Sequence, residues 1–277
     1  MHYKLLISSF TAHIELNIFS SSEFYAQLMT HTFWYEYIPG CQIKTTGASS
    51  ILWNVTEQTT NDYNLKKRTI ATSAAYIKEI IIIIESELER LRQYNGIYSF
   101  HGTSLFTEDQ SVGVGFIGNI SGIGKTTIAA TAAKKGWTWI ADEKFSIHND
   151  AIVGGTKRIL NDLKTNQAAG GIMPSATDKT PRLGLLCYAI LTTEQSIVKF
   201  DMSYEKKLWM YNDEISRDIR QVNGMLTGFK HSLPSFDNPE LSLARKESVE
   251  KLASTVNGVF MRGNAETILS EIKQLLT

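Results

Sequence analysis

Residues 111–149 read SVGVGFIGNISGIGKTTIAATAAKKGWTWIADEKFSIHN, and this stretch decides the predicted fold. The run from Val112 to Ile117 alternates glycine with β-branched and aromatic residues, which predicts a strand. A glycine-rich break follows. The alanine-rich run from Thr127 to Lys135, which Gly136 ends, then predicts a helix. A strand, a glycine-rich turn and a helix in this order form the context that a phosphate-binding loop requires.

The break contains residue types that bind polyphosphates. Gly122 and Gly124 permit backbone angles at which successive N–H groups point at one anion, and the helix start adds partial positive charge. Lys125 can reach between the terminal phosphates, and the hydroxyl of Thr126 can ligate Mg²⁺. The predicted nucleotide-binding residues are therefore Ser121, Gly122, Ile123, Gly124, Lys125, Thr126 and Thr127.

One position departs from the pattern G-x-x-x-x-G-K-[ST]. Asn119 takes the place of the first glycine, and Gly118 comes one residue early. Asparagine adopts left-handed backbone more readily than most residues, so the turn can still form. The alternative is a glycine-rich connector in an ordinary βαβ unit. The flanking strand and helix favour the phosphate-binding loop.

Two acidic residues follow the next predicted strand. The apolar run from Trp137 to Ala141 ends in Asp142 and Glu143. In an open parallel sheet the carboxyl ends of the strands face the ligand crevice. Carboxylates at that edge could hold Mg²⁺ or take a proton from an attacking hydroxyl. The alternative is a solvated acidic turn.

Taken in order, these motifs resemble those of the HPr kinase/phosphorylase family. The resemblance lies between Ser99 and Ile147, in the segments Phe100-His101-Gly102-Thr103-Ser104, Ser121-Gly122-Ile123-Gly124-Lys125-Thr126-Thr127, Lys135-Gly136-Trp137 and Ala141-Asp142-Glu143. The double threonine is closer to the ATP-dependent phosphoenolpyruvate carboxykinases, which share the loop fold. The resemblance implies an α/β fold with a P-loop kinase core of the HPr kinase and phosphoenolpyruvate carboxykinase type.

The resemblance also implies roles for single residues. Lys125 and Thr126 would bind nucleotide phosphate and Mg²⁺, and Asp142 would take part in metal and proton handling. The family usually has aspartate where this chain has Glu143, so the proton acceptor stays open between Asp142 and Glu143. His101 would lie beside the phosphates, although a lone histidine next to an aromatic residue also fits a structural role. The expected catalytic residues are His101, Lys125, Asp142 and Glu143, and the expected metal ligands are Thr126 and Asp142.

Composition narrows the function classes. The chain has 277 residues, of which 43% are hydrophobic, and its 28 Lys and Arg balance its 28 Asp and Glu. A net charge of zero favours neither nucleic acid nor an anionic membrane as partner. Cys41 and Cys187 are too few for a disulfide framework or a zinc site, so a cytoplasmic location is expected. No signal peptide is evident, and charged residues flank the densest apolar run, Ile80 to Ile84.

The expected domains are 1–68, a small α+β N-terminal domain, and 69–277, the P-loop domain. In the first, Tyr3 to Leu16 and Gln42 to Val55 predict strands, and a short helix opens near Ser22. The aromatic residues Phe33, Trp34, Tyr35 and Tyr37 fit either a domain core or a peptide-docking surface.

The P-loop domain is expected to begin with a helix, Thr72 to Gln93, and a strand, Ile97 to Phe106, that carries His101. After the acidic pair, Ala151 to Leu160 predicts a hairpin or strand carrying Lys157 and Arg158. Two more strands are predicted at Leu183 to Leu191 and Ser196 to Phe200, and helices at Asp213 to Leu226, Pro239 to Leu252 and Ala265 to Leu276. Candidates for a phosphate clamp are Arg217, Arg220, Lys230 and Arg245, and the sequence does not choose among them.

Together these patterns predict an ATP- and Mg²⁺-dependent phosphotransferase. The resemblance implies that the acceptor is a serine hydroxyl on a protein or peptide, and that the protein forms a homo-oligomer. The alternatives are a nucleotide-binding regulator and a small-molecule kinase without a protein substrate. A decarboxylating carboxykinase fits less well, because the chain is short and has no second set of metal ligands in the pattern of that enzyme. The acceptor, the preferred donor and any reverse reaction stay open.

Overall fold

A computed structural model describes residues 1–118, 122–157, 179–222 and 224–276. The chain has an α/β fold with two sheets, and it divides into two compact units. The first consists of Met1–Asn95 and Arg217–Asn238, and the second of Gly96–Ser216 and Pro239–Thr277. This division differs from the expected boundary at residue 68, because the first unit continues to Asn95 and takes in a later segment of the chain.

The first unit has a six-stranded sheet with the order β3-β1-β2-β4-β6-β5. Its strands are β1 (His2–Ser9), β2 (Ala12–Phe19), β3 (Cys41–Lys44), β4 (Leu52–Glu57), β5 (Asp62–Asn64) and β6 (Thr69–Thr72). The strand predicted over Tyr3 to Leu16 is in fact the hairpin of β1 and β2, because Phe10 turns the chain with a positive φ of 54°. The strand predicted over Gln42 to Val55 is likewise two strands, β3 and β4, with residues 45–51 between them.

The described residues of the first unit include the α-helices α1 (Ser22–Thr30), α2 (Phe33–Tyr37) and α3 (Ile77–Tyr94), and a short 3-10 helix, Ala74–Tyr76, directly precedes α3. The aromatic segment in α2 contributes to the core, where Trp34 is fully buried, while Tyr35 stays exposed. The predicted helix over the isoleucine run is confirmed as α3. It begins later than Thr72, because Thr69–Thr72 pairs with β4 as strand β6.

Helix α3 is buried on more than one side. Ile80, Ile81, Ile83 and Ile84 are all fully buried. Leu226 and Leu233 from the later segment belong to the same hydrophobic core, and Gln221 donates a hydrogen bond to Ser86 of α3 at 2.9 Å. Continuous burial explains why this helix has five consecutive isoleucines instead of one apolar stripe.

A charged cluster is enclosed in the first unit. The guanidinium of Arg92 is fully buried and lies 2.7 Å from a carboxylate oxygen of Glu85. It also pairs with Glu89 and donates to the hydroxyl of Ser9. Each buried charge is thus matched by hydrogen bonds, which such burial requires.

The second unit has a mixed sheet with the order β11-β10-β7-β8-β12-β14-β13, and β9 pairs with β7 off this path. Its strands are β7 (Ile97–Phe106), β8 (Val112–Ile117), β9 (Thr138–Ala141), β10 (Lys144–His148), β11 (Ala151–Gly155), β12 (Arg182–Leu191), β13 (Val198–Asp201) and β14 (Asn257–Gly263). The predicted bounds of β7 and β8 are confirmed, whereas β14 has no counterpart among the predicted strands.

The directions of these strands place the acidic pair. Strand β7 runs antiparallel to both β8 and β9, so β8 and β9 point the same way. Strands β12 and β14 continue in the direction of β8. The sheet is therefore not wholly parallel, yet the ends of β8, β9 and β12 face the same side of the unit.

In the described part of the second unit, four helices cover the two faces of this sheet: α4 (Lys125–Lys134), α5 (Tyr204–Ser216), α6 (Pro239–Thr255) and α7 (Ala265–Leu276). Apolar residues of α4 and α7 share one core with Val114 and Phe116 of β8. Apolar residues of α5 and α6 share a second core with Phe100 and Phe145. Two separate cores on one sheet correspond to a three-layer arrangement.

The helix predicted over Asp213 to Leu226 is wrong in its bounds. Helix α5 begins at Tyr204 and ends at Ser216, and residues 217–222 form turns. Arg217 and Arg220 therefore do not share a helical face.

Candidate functional site

The loop that follows β8 is shaped by glycines. Gly118, Gly122 and Gly124 all have positive φ, at 130°, 81° and 97°. A Cβ atom on Gly124 would lie 2.3 Å from Cβ of Leu191, so a larger residue has no room there. Leu191 also donates its backbone N–H to the carbonyl of Ile123 at 2.8 Å, which ties the loop to the end of β12. Residues 119–121, including the predicted ligand Ser121, lie outside the described residues.

Helix α4 begins directly at the loop. Gly124 is its N-cap and contributes no side-chain capping bond. The first intrahelical bond runs from the N–H of Ile128 to the carbonyl of Gly124, so the N–H groups of Lys125, Thr126 and Thr127 have no acceptor within the helix. Such a helix start is suited to an anion. A Cβ added to Gly122 would meet no atom of the described residues within 4 Å.

The Lys125 side chain turns back toward the loop. Its ammonium donates to the carbonyl of Gly118 at 2.5 Å. Burial lowers the pKa of Lys125 from its usual value of 10.5, and the negative charges of Glu143, Glu214 and Asp142 oppose that shift. Three carboxylates thus lie close enough to act on one loop lysine.

The acidic pair forms the turn between β9 and β10, and its first member faces the helix start. Asp142 is 2% exposed. The hydroxyl of Thr126 donates to its Oδ1 at 3.1 Å and lies 3.3 Å from its Oδ2. The structure therefore brings together the two predicted metal ligands, Thr126 and Asp142.

Thr156 holds the acidic turn in place through hydrogen bonds to Asp142. Its hydroxyl donates to the carbonyl of Asp142, and its carbonyl accepts from the N–H of Asp142 at 3.2 Å. Glu143 then adopts a left-handed backbone with φ of 70°. Left-handed backbone is unfavourable for a glutamate, so these bonds maintain a locally strained conformation. The strain coincides with the predicted catalytic position.

Strand β7 joins the loop to the acidic turn. The carbonyl of His101 accepts from the N–H of Gly118 at 3.3 Å, and the N–H of Gly102 donates to the carbonyl of Glu143 at 2.8 Å. Nε2 of His101 lies 3.8 Å from a carboxylate oxygen of Glu143. A Cβ on Gly102 would lie 2.0 Å from the carbonyl oxygen of Phe116, which explains the glycine after His101.

Lys144 and Glu214 lie near this site and were not predicted from the sequence. Lys144 is 6% exposed and stands opposite His101 in the β7–β10 register, which places both on one face of the sheet. Glu214, on α5, is 7% exposed, and its charge acts on Lys125. A lysine directly after the acidic pair gave a sequence signal for Lys144. Glu214 comes from a distant helix and carries no motif.

The candidate phosphate-clamp residues fall in different parts of the chain. Arg217, Arg220 and Lys230 belong to the first unit, whereas the predicted site lies in the second. Arg245 belongs to the second unit and is fully buried. Lys157 follows Thr156 and is exposed, and Arg158 lies outside the described residues.

The residues present fit Mg²⁺. Magnesium in phosphate-transfer sites is usually held by one or two protein oxygens together with phosphate oxygens and water. The adjacent Thr126 hydroxyl and Asp142 carboxylate are ligands of this kind. Among the described residues there is no group of three or more His, Cys, Asp and Glu side chains that could hold a metal ion.

The chain was compared with protein-family models and with curated proteins. No family model matches this chain, and no curated protein is significantly similar to it. In the described parts of the chain, no helix combines the length and apolarity that crossing a membrane demands.

Proposed function

We propose that this protein is an ATP- and Mg²⁺-dependent phosphotransferase with a P-loop kinase core, and that it phosphorylates a serine hydroxyl of a protein or peptide. One observation carries the proposal. The start of α4 at its N-cap Gly124, the ammonium of Lys125 and the paired Thr126 and Asp142 lie at the same edge of the sheet. These are an anion-binding helix start, a cationic side chain and a magnesium-type oxygen pair.

In this proposal the loop residues bind the nucleotide. The N–H groups at the start of α4 and the glycine-rich turn bind phosphate oxygens, and Lys125 leaves the Gly118 carbonyl to contact the terminal phosphates. Thr126 and Asp142 would hold Mg²⁺, which would offset negative charge on the phosphates. Positioning and charge neutralisation then supply most of the rate enhancement.

The two acids take different roles. Asp142 is almost completely buried and bonded to Thr126, which suits a metal ligand. The Glu143 side chain is 35% exposed and reaches toward His101, which suits contact with an incoming hydroxyl. Glu143 therefore accepts the proton of the serine hydroxyl as the serine oxygen bonds to the γ-phosphorus. The bond from that phosphorus to the bridging oxygen breaks, and ADP leaves. His101 orients Glu143 or the transferred phosphate.

Transfer assays test the proposal directly. The purified protein is incubated with γ-labelled ATP, Mg²⁺ and a library of serine-containing peptides, and label is followed on peptide and as free phosphate. Label on serine is expected, and it should vanish in the Lys125→Ala variant but not in Lys134→Ala, which removes an exposed lysine near the far end of the same helix. Free phosphate without peptide label would indicate a nucleotide-dependent regulator instead. Binding without any turnover would reject the catalytic assignment.

Location and assembly stay predictions. A cytoplasmic location agrees with the free thiols of Cys41 and Cys187, which form no disulfide. We propose a homo-oligomer only because of the resemblance described above. Neither nucleic acid nor a membrane is proposed as a partner.

A further inference from the structure

The second unit contains a cleft of about 270 Å³ between α5 and the strands β12 and β14. Its lining combines aromatic, charged and apolar side chains, namely Tyr188, Lys206, Trp209, Met210, Asp213, Glu214 and Phe260. Apart from Glu214, whose charge acts on Lys125, none of these residues has a role in the nucleotide site proposed above. The cleft therefore needs its own explanation.

The cleft adjoins the glycine-rich loop. The ring of Tyr188 lies 2.8 Å from the position that a Cβ on Gly118 would occupy, so the tyrosine packs directly against the start of the loop. The carbonyl of Gly118 accepts from Lys125, and the charge of Glu214 acts on the same lysine. A molecule in the cleft would thus lie next to the position expected for the transferred phosphate.

A row of aromatic rings leads from this point to the sheet edge. Tyr188 stacks on Phe260 with ring centroids 5.7 Å apart, and Phe200 lies 6.4 Å from Phe260 on the far side. Phe200 is in β13, the last strand of the described sheet, and it is 63% exposed. Trp209 is 64% exposed on α5. Such an aromatic surface can hold an extended chain.

The charges of the cleft select against phosphate and in favour of cations. Asp213 and Glu214 contribute two negative charges, and Lys206 contributes one positive charge. The ammonium of Lys206 already lies 4.5 Å from the centre of the Trp209 ring, so that ring face accommodates a cation. Nucleotide phosphates would be repelled here, whereas a positively charged side chain is attracted by both acids and rings.

We propose that this cleft binds the acceptor peptide through an arginine or lysine close to the phosphorylated serine. The inference rests on the proposed phosphotransfer and names the substrate class: a serine peptide with a neighbouring cationic side chain. Aromatic faces and two carboxylates recognise that side chain while the serine hydroxyl reaches Glu143.

Matched peptides test the inference. A set of serine peptides carries one arginine moved position by position around the serine, and a second set replaces that arginine by neutral citrulline. For the best position, kcat/KM is expected to be about tenfold higher for arginine than for citrulline. The Trp209→Ala and Asp213→Asn variants should remove most of this preference, and Asp213→Lys should shift it toward a peptide with glutamate at that position. Leu243→Ala, which removes another exposed apolar side chain in the second unit, should preserve it.

The outcomes separate the two proposals. Equal kcat/KM for arginine and citrulline peptides at every position would overturn the cleft inference and leave phosphotransfer intact. Preference for a small amino alcohol over all peptides would overturn it as well. Loss of MgATP affinity in Trp209→Ala would place the nucleotide base in the cleft, against the inference. Absence of transfer to any serine, with normal MgATP binding, would instead reject the proposed function.

Discussion

The hydroxyl of Thr126 donates to Oδ1 of Asp142 at 3.1 Å, and this bond joins the first turn of α4 to the end of β9. The bond thus holds the start of the helix against the acidic turn that follows the strand. A metal ion that binds both oxygens would take over this connection. The pair therefore makes a sharp prediction about magnesium.

We expect Thr126→Ala and Asp142→Asn to lower the affinity of the ATP-bound protein for Mg²⁺. Thr126→Ala removes a hydroxyl ligand and Asp142→Asn removes the negative charge of a carboxylate ligand, and each change should cost at least about 10-fold in metal affinity. Calorimetric titration of Mg²⁺ into the ATP-bound protein measures this affinity. Thr126→Ser keeps the hydroxyl and should retain near-normal affinity. Unchanged Mg²⁺ affinity in Asp142→Asn would remove Asp142 from the metal site.

The Lys125→Ala variant should lose about 10- to 150-fold in ATP affinity, because a charge-assisted bond to phosphate contributes roughly 1.5–3 kcal/mol. Direct titration with MgATP provides the number. The Lys134→Ala variant should bind as the wild type does, since this exposed residue lies near the far end of the same helix. If Lys125→Ala binds normally, the loop does not hold phosphate.

The pH dependence of kcat/KM for ATP should follow the protonation state of Lys125. Burial lowers the pKa of Lys125 from 10.5 in the folded protein, so the ammonium loses its proton at a lower pH than an exposed lysine does. We expect kcat/KM for ATP to fall as pH rises through this lowered value, because the charge that offsets phosphate is lost. The alkaline fall should move to higher pH in Lys125→Arg, whose guanidinium keeps its charge. An identical fall in both proteins would assign it to another group.

The same shift has a defined sign for stability. Between the lowered pKa and 10.5 the unfolded chain binds more protons at this site than the folded protein does. The contribution of Lys125 to the free energy of unfolding therefore increases with pH over that window. Comparing urea unfolding of the wild type and Lys125→Met along a pH series isolates this contribution.

Glu143 should separate activity from stability. Its φ of 70° is unfavourable for a side chain by about 1–2 kcal/mol, and glycine would relieve this while adding about 0.5–1 kcal/mol of unfolded-state entropy. The free energy of unfolding of Glu143→Gly is thus expected to lie within about 1 kcal/mol of that of the wild type, and this variant is expected to lose transfer activity. Glu143→Val, with a β-branched side chain at the same angle, should also lose about 1–2 kcal/mol of stability. Full activity in Glu143→Gly would exclude this carboxylate as the proton acceptor.

The buried ion cluster of the first unit makes a prediction independent of function. Arg92→Ala leaves Glu85 and Glu89 buried without their cation and should lower the free energy of unfolding by about 3–5 kcal/mol. Arg90→Ala breaks the more exposed pair with Glu87 and should cost less than about 1 kcal/mol. Urea denaturation followed by circular dichroism compares the two variants. Equal costs would contradict the assigned difference in burial.

The sequence predicts those parts of the fold that depend on local pattern. Strands β7 and β8 and helix α7 have the expected bounds, because each has a periodic apolar pattern between clear ends. The sequence does not predict that the sheet contains both parallel and antiparallel strands, because strand pairing joins residues far apart in the chain. Strand β14 carries a glycine at each end of a short apolar run and lacks a clear alternating pattern.

The candidate site divides in the same way. Lys125, Thr126, Asp142 and His101 fall on short motifs, so spacing alone singles them out. Thr156, Tyr188 and Glu214 reach the site through a hairpin, a central strand and a helix on the sheet face, and none of these has a local signature. Their positions depend on packing, which only the folded chain reveals.

The contact between Tyr188 and Gly118 has a consequence for how this protein can diversify. A bulkier group at either position would push the loop start and the cleft wall apart together, because the added Cβ at Gly118 would already lie 2.8 Å from the tyrosine ring. Substitutions that change the acceptor preference are therefore expected at Trp209, on the exposed side of the cleft. Few substitutions are expected at Tyr188, which packs against the loop. In the proposed function, natural variants of this chain would then differ in the acceptor that they prefer, and they would keep the loop that binds the nucleotide.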